Sequence, residues 1–183
     1  MSPKLNNSVM LLNENSHSKT QMLAFSGLMA AVICVATGFI KFPTPIGYIH
    51  IGDGFIFLAV ALLGWYGVAA AAVGSGLADV IAGYFIYAPG TFIIKGLMGI
   101  VALKYINGNY KAGRCIVGYV LAEILMVLGY FVYEIPFYGI EAASTSMLFN
   151  DVQGLFGVII GAVAVLTVKN RLEAGRKRSA QNA

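Results

Sequence analysis

Apolar residues in this chain come in long blocks divided by short polar breaks or by breaks carrying glycine and proline, and six of the blocks read as helices. The pattern predicts helices over Met22–Ile40, Phe55–Leu63, Val68–Ile86, Thr91–Ile106, Cys115–Tyr133 and Asn150–Val168. Most of them reach or approach the roughly 20 apolar residues that carry a helix through a bilayer. The second is short, and an extension back through Ile49 would lengthen it. Between the first two blocks "KFPTPIGYIHIGDG" predicts a loop, "GWYG" a tight turn into the third, and "NGNYKAGR" a polar loop after the fourth.

Composition says what such blocks are for. Of the 183 residues 58% are hydrophobic and only 11% charged, outside the range of soluble domains. The expectation is an all-α integral membrane protein with six transmembrane helices, and charge orients it. Lys4, Lys19, Lys104, Lys111, Arg114, Lys169, Arg171, Arg176, Lys177 and Arg178 all fall in the termini or between the fourth and fifth blocks. Lys41 in the first loop and Lys95 inside a block complete the twelve Lys and Arg. Asp53, Glu134, Glu141 and Asp151 belong to the opposite side. Both termini are therefore expected in the cytoplasm.

The net charge of +4 is then explained by topology, and no nucleic-acid partner is expected. Residues 1–20 read as a polar cytoplasmic lead-in, 21–170 as one six-helix membrane domain and 171–183 as a basic cytoplasmic tail. The lead-in is not read as a cleaved signal, because the first apolar block is followed by "KFPTP" and not by a small-residue cleavage site. Cys34 and Cys115 lack metal-like spacing and read as small apolar fillers, so neither a metal nor a cofactor is expected.

Two charges lie inside apolar blocks within "SGLADVIAGYFIYAPGTFIIKGLMG". Asp79 and Lys95 flank an external hairpin, and at 1.5 Å rise per residue both would stand roughly 6–11 Å below its outer ends. Similar depth on adjacent antiparallel helices allows them to meet. A lone Asp or Lys at a helix centre costs roughly 2.5–3.5 kcal/mol, so pairing or a wet cavity is expected. Two readings stay open: a structural pair pinning helix three to helix four, or groups lining an outward-facing ligand cavity.

Other polar residues gather at the same level. They are Asn150, Asp151 and Gln153; Tyr130, Tyr133 and Glu134; Tyr84 and Tyr87; and His50 and Asp53. An interfacial aromatic belt accounts for tyrosines at that depth. Aromatic rings converging with a few amides and charges are also what a pocket for a small planar molecule requires. Glu123, in the middle of the fifth block, must be protonated, paired or wet.

Catalytic readings fail on composition and spacing. "GTFIIKG" lacks the second Gly before Lys95 and the Ser or Thr after it that a phosphate loop needs, so no ATPase is expected in the chain itself. A serine protease built on "VGSGLAD" has no histidine near Ser75, because His17 and His50 lie in the tail and at the outer edge. The H-E-x-x-H pair of a metalloprotease is absent, and no catalytic residue is assigned.

"IHIGDGFIFLAVALLG" followed by "GSGLADVIAGYFIYAPGTFIIKGLMG" resembles the substrate-binding S component of an energy-coupling factor (ECF) vitamin transporter, from the hydroxymethylpyrimidine and pyridoxine branch. The resemblance covers essentially the whole membrane part. It implies a subunit of the bacterial plasma membrane that captures a vitamin at the outer face. It also implies partners in the bilayer and beneath it: a transmembrane coupling subunit and two cytoplasmic ATPase subunits. Carried over residue by residue, it points to Lys95, Asp79, Asn150 and Gln153 as pocket residues, with Tyr84, Tyr87 and Tyr133 as stacking partners. It places partner docking on the small residues Ser26, Gly27, Ala30 and Ala31 of helix one. Three alternatives stand beside it: the same fold carrying riboflavin or another B vitamin, a self-contained secondary carrier using Asp79, Glu123 and Lys95 as a proton relay, and a membrane scaffold.

Overall fold

A computed structural model describes residues 17–106 and 110–181, and the described residues are helical apart from one β-hairpin and the connecting turns. The order is α1 (Lys19–Gly38), β1 (Lys41–Pro43), β2 (Tyr48–His50), α2 (Gly52–Leu63), α3 (Trp65–Ile81), α4 (Ala88–Ile106) and α5 (Ala112–Gln181). Ser18 starts α1 with a capping box: its hydroxyl accepts the Gln21 N–H at 3.2 Å, and its own N–H donates to the Gln21 side chain at 2.8 Å. The expected lead-in lies, up to residue 16, outside the described residues.

Several boundaries differ from the expectation. The first loop is a hairpin pairing Lys41 with His50, Phe42 with Ile49 and Pro43 with Tyr48, because the β-branched and aromatic "YIH" folds back over "KFP". Helix three stops at Ile81, where Gly83 turns the chain with φ 84°. Helices five and six form one element broken at Gly139 (φ 81°, ψ 166°), and residues 134–149, expected as a loop, are helical up to and after that break. Pro136 lacks the N–H that would bond back into the helix, and the left-handed Gly139 follows, so the two together give the kink. Beyond Val168 the helix runs on to Gln181, because "KNRLEAGRKRSAQ" is rich in helix formers although it is no longer apolar.

Among the described residues three helices are long and apolar enough to cross a bilayer: α1, α4 and the 60-residue apolar part of α5 through Arg171. The shorter α2 and α3 are apolar as well. Helix α1 packs on α3, α3 on α4, α4 on α5, and α2 lies against both α3 and α5. The core holds Ile56, Val60, Met98, Met126 and Val165, with Tyr119 stacked on Phe57 at 4.1 Å between ring centres. Leu23, Leu28, Leu77, Ile93, Leu155 and Val163 face outward and exposed, which water would penalise and lipid would not.

The four small residues of α1 divide between two faces. Ser26 is buried and donates to the Tyr66 carbonyl at 2.7 Å, and Ala30 packs on Gly74 of α3, so both serve internal packing. Gly27 and Ala31 are exposed on another face, and a Cβ built on Gly27 meets nothing within 4 Å.

Candidate ligand cleft

A cleft opens at the end of the bundle where the β-hairpin, the α3–α4 turn and the kinked part of α5 meet. Its aromatic wall comes from Tyr48, Tyr84, Tyr87, Tyr130 and Phe149, with Tyr48 and Tyr84 tilted against each other at 4.9 Å. Polar groups enter from four elements: His50 from β2, Asp79 from α3, Thr91 from α4, and Glu134, Ser146, Asn150 and Gln153 from α5.

Directly beneath the cleft is a buried charge cluster. Lys95 Nζ donates to Asp53 Oδ1 at 2.6 Å, and neither side chain has any exposure. The expected partner of Lys95 was Asp79, and the structure corrects this. Asp53 is not an exposed loop residue but stands in the first turn of α2, where unpaired helix N–H groups favour an anion. That places it against the middle of α4. Gln153 Nε2 donates to the other Asp53 oxygen at 2.7 Å, and its carbonyl accepts the His50 N–H at 3.1 Å. The amide of Gln153 thus ties the hairpin, α2 and α5 together at the floor of the cleft. The ammonium of Lys95 also lies 5.5 Å from the Tyr130 ring centre.

Asp79 takes a different donor, the Tyr48 hydroxyl at 2.5 Å. Burial first, and then Asp79, push the Tyr48 phenol far above its usual range, so it remains a donor to that carboxylate. The imidazole of His50 accepts the Gly52 N–H on Nδ1 at 3.0 Å, which requires its neutral form. Burial moves its pKa down to about 4, opposed by Asp53 and assisted by Lys95. Glu123 is buried below this layer, near enough to Asp53 and Lys95 to feel their charges, and neither of its oxygens has a hydrogen-bond partner. Gly157 gives it room, since a Cβ there would lie 2.2 Å from Glu123 Oε1 and 2.9 Å from Asp53 Cβ.

Of the sequence-predicted pocket residues, Asp79, Tyr84, Tyr87, Asn150 and Gln153 line the cleft together. Lys95 stands behind the lining on Asp53, and Tyr133 stands outside it, donating to the Ile86 carbonyl at 2.6 Å. Sequence reasoning missed Tyr48, Thr91, Ser146 and the floor role of Asp53. One signal was available: Asp53 between Gly52 and Gly54 marks a close backbone approach, and a Cβ on Gly54 would reach Ile160 of α5 at 2.4 Å.

Comparison with known proteins agrees with this architecture. The family model described as "ECF-type riboflavin transporter, S component" matches residues 17–170. A protein of Pyrococcus woesei, described as "Uncharacterized protein in gap 3'region", is 38% identical over 144 residues, which is 76% of this chain and 96% of that protein. The solved structure titled "Structure and mechanism of the S component of a bacterial ECF transporter" superposes with a TM-score of 0.51 at 18% identity, covering 90% of this chain and 98% of that one. At that identity the likeness is one of fold.

Proposed function

The chain belongs to the ECF-type riboflavin transporter S component family, and from that premise we propose that its cleft captures a flat vitamin at the outer face, with riboflavin first. It is then the substrate-binding subunit of an ECF transporter, a transport component and not an enzyme. The hydroxymethylpyrimidine and pyridoxine preference suggested by sequence rests on the motif resemblance alone, whereas the family model that matches is of the riboflavin type. The observation that carries the reading is the aromatic cleft at one end of an apolar bundle. At the opposite end basic residues gather, with Arg114 on the Tyr105 carbonyl at 2.6 Å and Lys169 on the Tyr110 carbonyl at 3.5 Å. The positive-inside rule makes that basic end cytoplasmic and turns the cleft outward.

In this reading the chain crosses the bilayer six times. The kink at Gly139 divides α5 into two spanning arms, since 60 helical residues at 1.5 Å each extend about three times the roughly 30 Å of a hydrocarbon core. Both termini are cytoplasmic, and energy comes from a coupling subunit with ATPase partners. Calorimetry of the purified chain against riboflavin, pyridoxine and hydroxymethylpyrimidine tests the reading. Tight binding of one is expected, and a flat response to all three would end it.

Docking to the coupling subunit is assigned to the exposed Gly27–Ala31 side of α1. Small residues four apart let a second helix approach closely in lipid. Gly27→Leu is expected to leave vitamin affinity unchanged, because no described residue lies within 4 Å of a Cβ there, and to abolish co-purification with the coupling subunit. Retained assembly would move the docking face elsewhere.

A further inference from the structure

Among the described residues, bonding around the cleft leaves it with two oriented anionic acceptors and no cation in its lining. One oxygen of Asp79 is held by the Tyr48 hydroxyl. One oxygen of Glu134 accepts Ser146 Oγ at 3.0 Å and the Tyr87 hydroxyl at 3.2 Å, the latter shared with the Ile46 carbonyl. The second oxygen of each, Asp79 Oδ2 and Glu134 Oε2, is buried without a partner, although both residues line the cleft and are only 4% and 3% exposed. Tethering one oxygen fixes the direction of the other, and an unpaired buried acceptor is costly unless something arrives to donate to it. The two stand on different walls, α3 and α5.

The cations nearby are already engaged. Lys95 is spent on Asp53, and Lys41 lies over the rings of Tyr48 and Tyr84 at 4.9 and 5.6 Å from their centres, outside the lining. The imidazole of His50, accepting on Nδ1, is neutral. The donors that remain are neutral ones: the Asn150 amide, held loosely by Ser146 at 3.5 Å, the Tyr84 hydroxyl, and one proton of the Thr91–Tyr130 pair. Building on the S-component reading, we propose that Asp79 and Glu134 are the two acceptor poles of the cleft, and that it takes a flat vitamin in its free form, with O–H or N–H donors toward both walls, and rejects the phosphorylated form of the same vitamin. A phosphate would meet two carboxylates at close range, with Lys95 held on Asp53 and Lys41 outside the lining.

The test measures dissociation constants of the full-length protein at pH 7 for riboflavin, pyridoxine and hydroxymethylpyrimidine, each beside its phosphate ester. For whichever free vitamin binds, the ester is expected to bind at least about 100-fold more weakly, the scale of an unrelieved like-charge contact. Glu134→Gln, and independently Asp79→Asn, should weaken the free vitamin about tenfold and narrow the gap to its ester. Size-exclusion profile and melting temperature identify a variant that has lost its fold, and the parent comparison needs no variant at all. Equal affinity of parent protein for vitamin and ester overturns this inference and leaves the functional reading standing, as does an unchanged gap in both folded variants. No binding of any free vitamin overturns the functional reading, and this inference with it.

Discussion

Asp53→Ala is expected to destabilise the protein by about 3–5 kcal/mol, because it strands the Lys95 ammonium in a site with no solvent access. Gln153 loses its acceptor at the same stroke, so the tie among hairpin, α2 and α5 loosens at the cleft floor. Thermal unfolding in detergent measures the first effect and ligand calorimetry the second. Lys95→Met combined with Asp53→Leu should recover most of the stability, since replacing both members of a buried pair with apolar groups removes the desolvation cost along with the attraction. If Asp53→Ala melts within a degree or two of the parent, the pair does not hold α2 to α4. If the double variant is as unstable as the single, shape and not charge is what the site requires. The double variant also separates the roles left open for Lys95. Normal vitamin affinity there would mark the lysine as structural, and lost affinity in a well-folded double variant would assign binding to the lysine or to the Gln153 tie that leans on Asp53.

Gly67→Ala is expected to be the most disruptive single-methyl change in the bundle. Its Cβ would lie 2.2 Å from the Ala59 carbonyl oxygen, 2.4 Å from the Ala59 carbonyl carbon and 2.6 Å from the Val60 nitrogen, all backbone atoms of α2 that cannot swing aside. Relief requires α3 to move off α2, and overpacking of this kind costs about 1–3 kcal/mol or more. Because α3 carries Asp79 to the cleft wall, vitamin affinity should fall together with the melting temperature. Gly27→Ala is the control, with nothing within 4 Å of its Cβ, and should melt with the parent. Matching melting curves for Gly67→Ala and the parent would show that the α2–α3 turn has slack.

Much of this protein can be read from its residues in order. Blocks of about 20 apolar residues have one outlet, a helix in lipid, because no other structure satisfies its backbone there. The placement of ten of twelve basic residues in termini and around one loop gives the bundle its expected orientation, through the same physics that governs insertion. Tyr84, Tyr87, Asn150 and Gln153 were legible as neighbours because they cluster at one depth, and depth follows from counting along a helix.

Position around the helix axis and contact between non-adjacent elements do not follow from that count, and there the tertiary structure decided. Asp79 and Lys95 stand on helices adjacent in sequence at similar depth, yet Lys95 turns to Asp53, forty-two positions away, because the first turn of α2 docks against the middle of α4. Ser26 and Gly27 are neighbours in sequence, but one is bonded to Tyr66 and the other faces outward, since successive helical residues differ by about 100° of rotation. The helical run through residues 134–149 was hidden by its polar and proline-bearing composition. Yet it carries Glu134 and Ser146 to the cleft, because the kink at Gly139 brings residues twelve positions apart within 3.0 Å of each other.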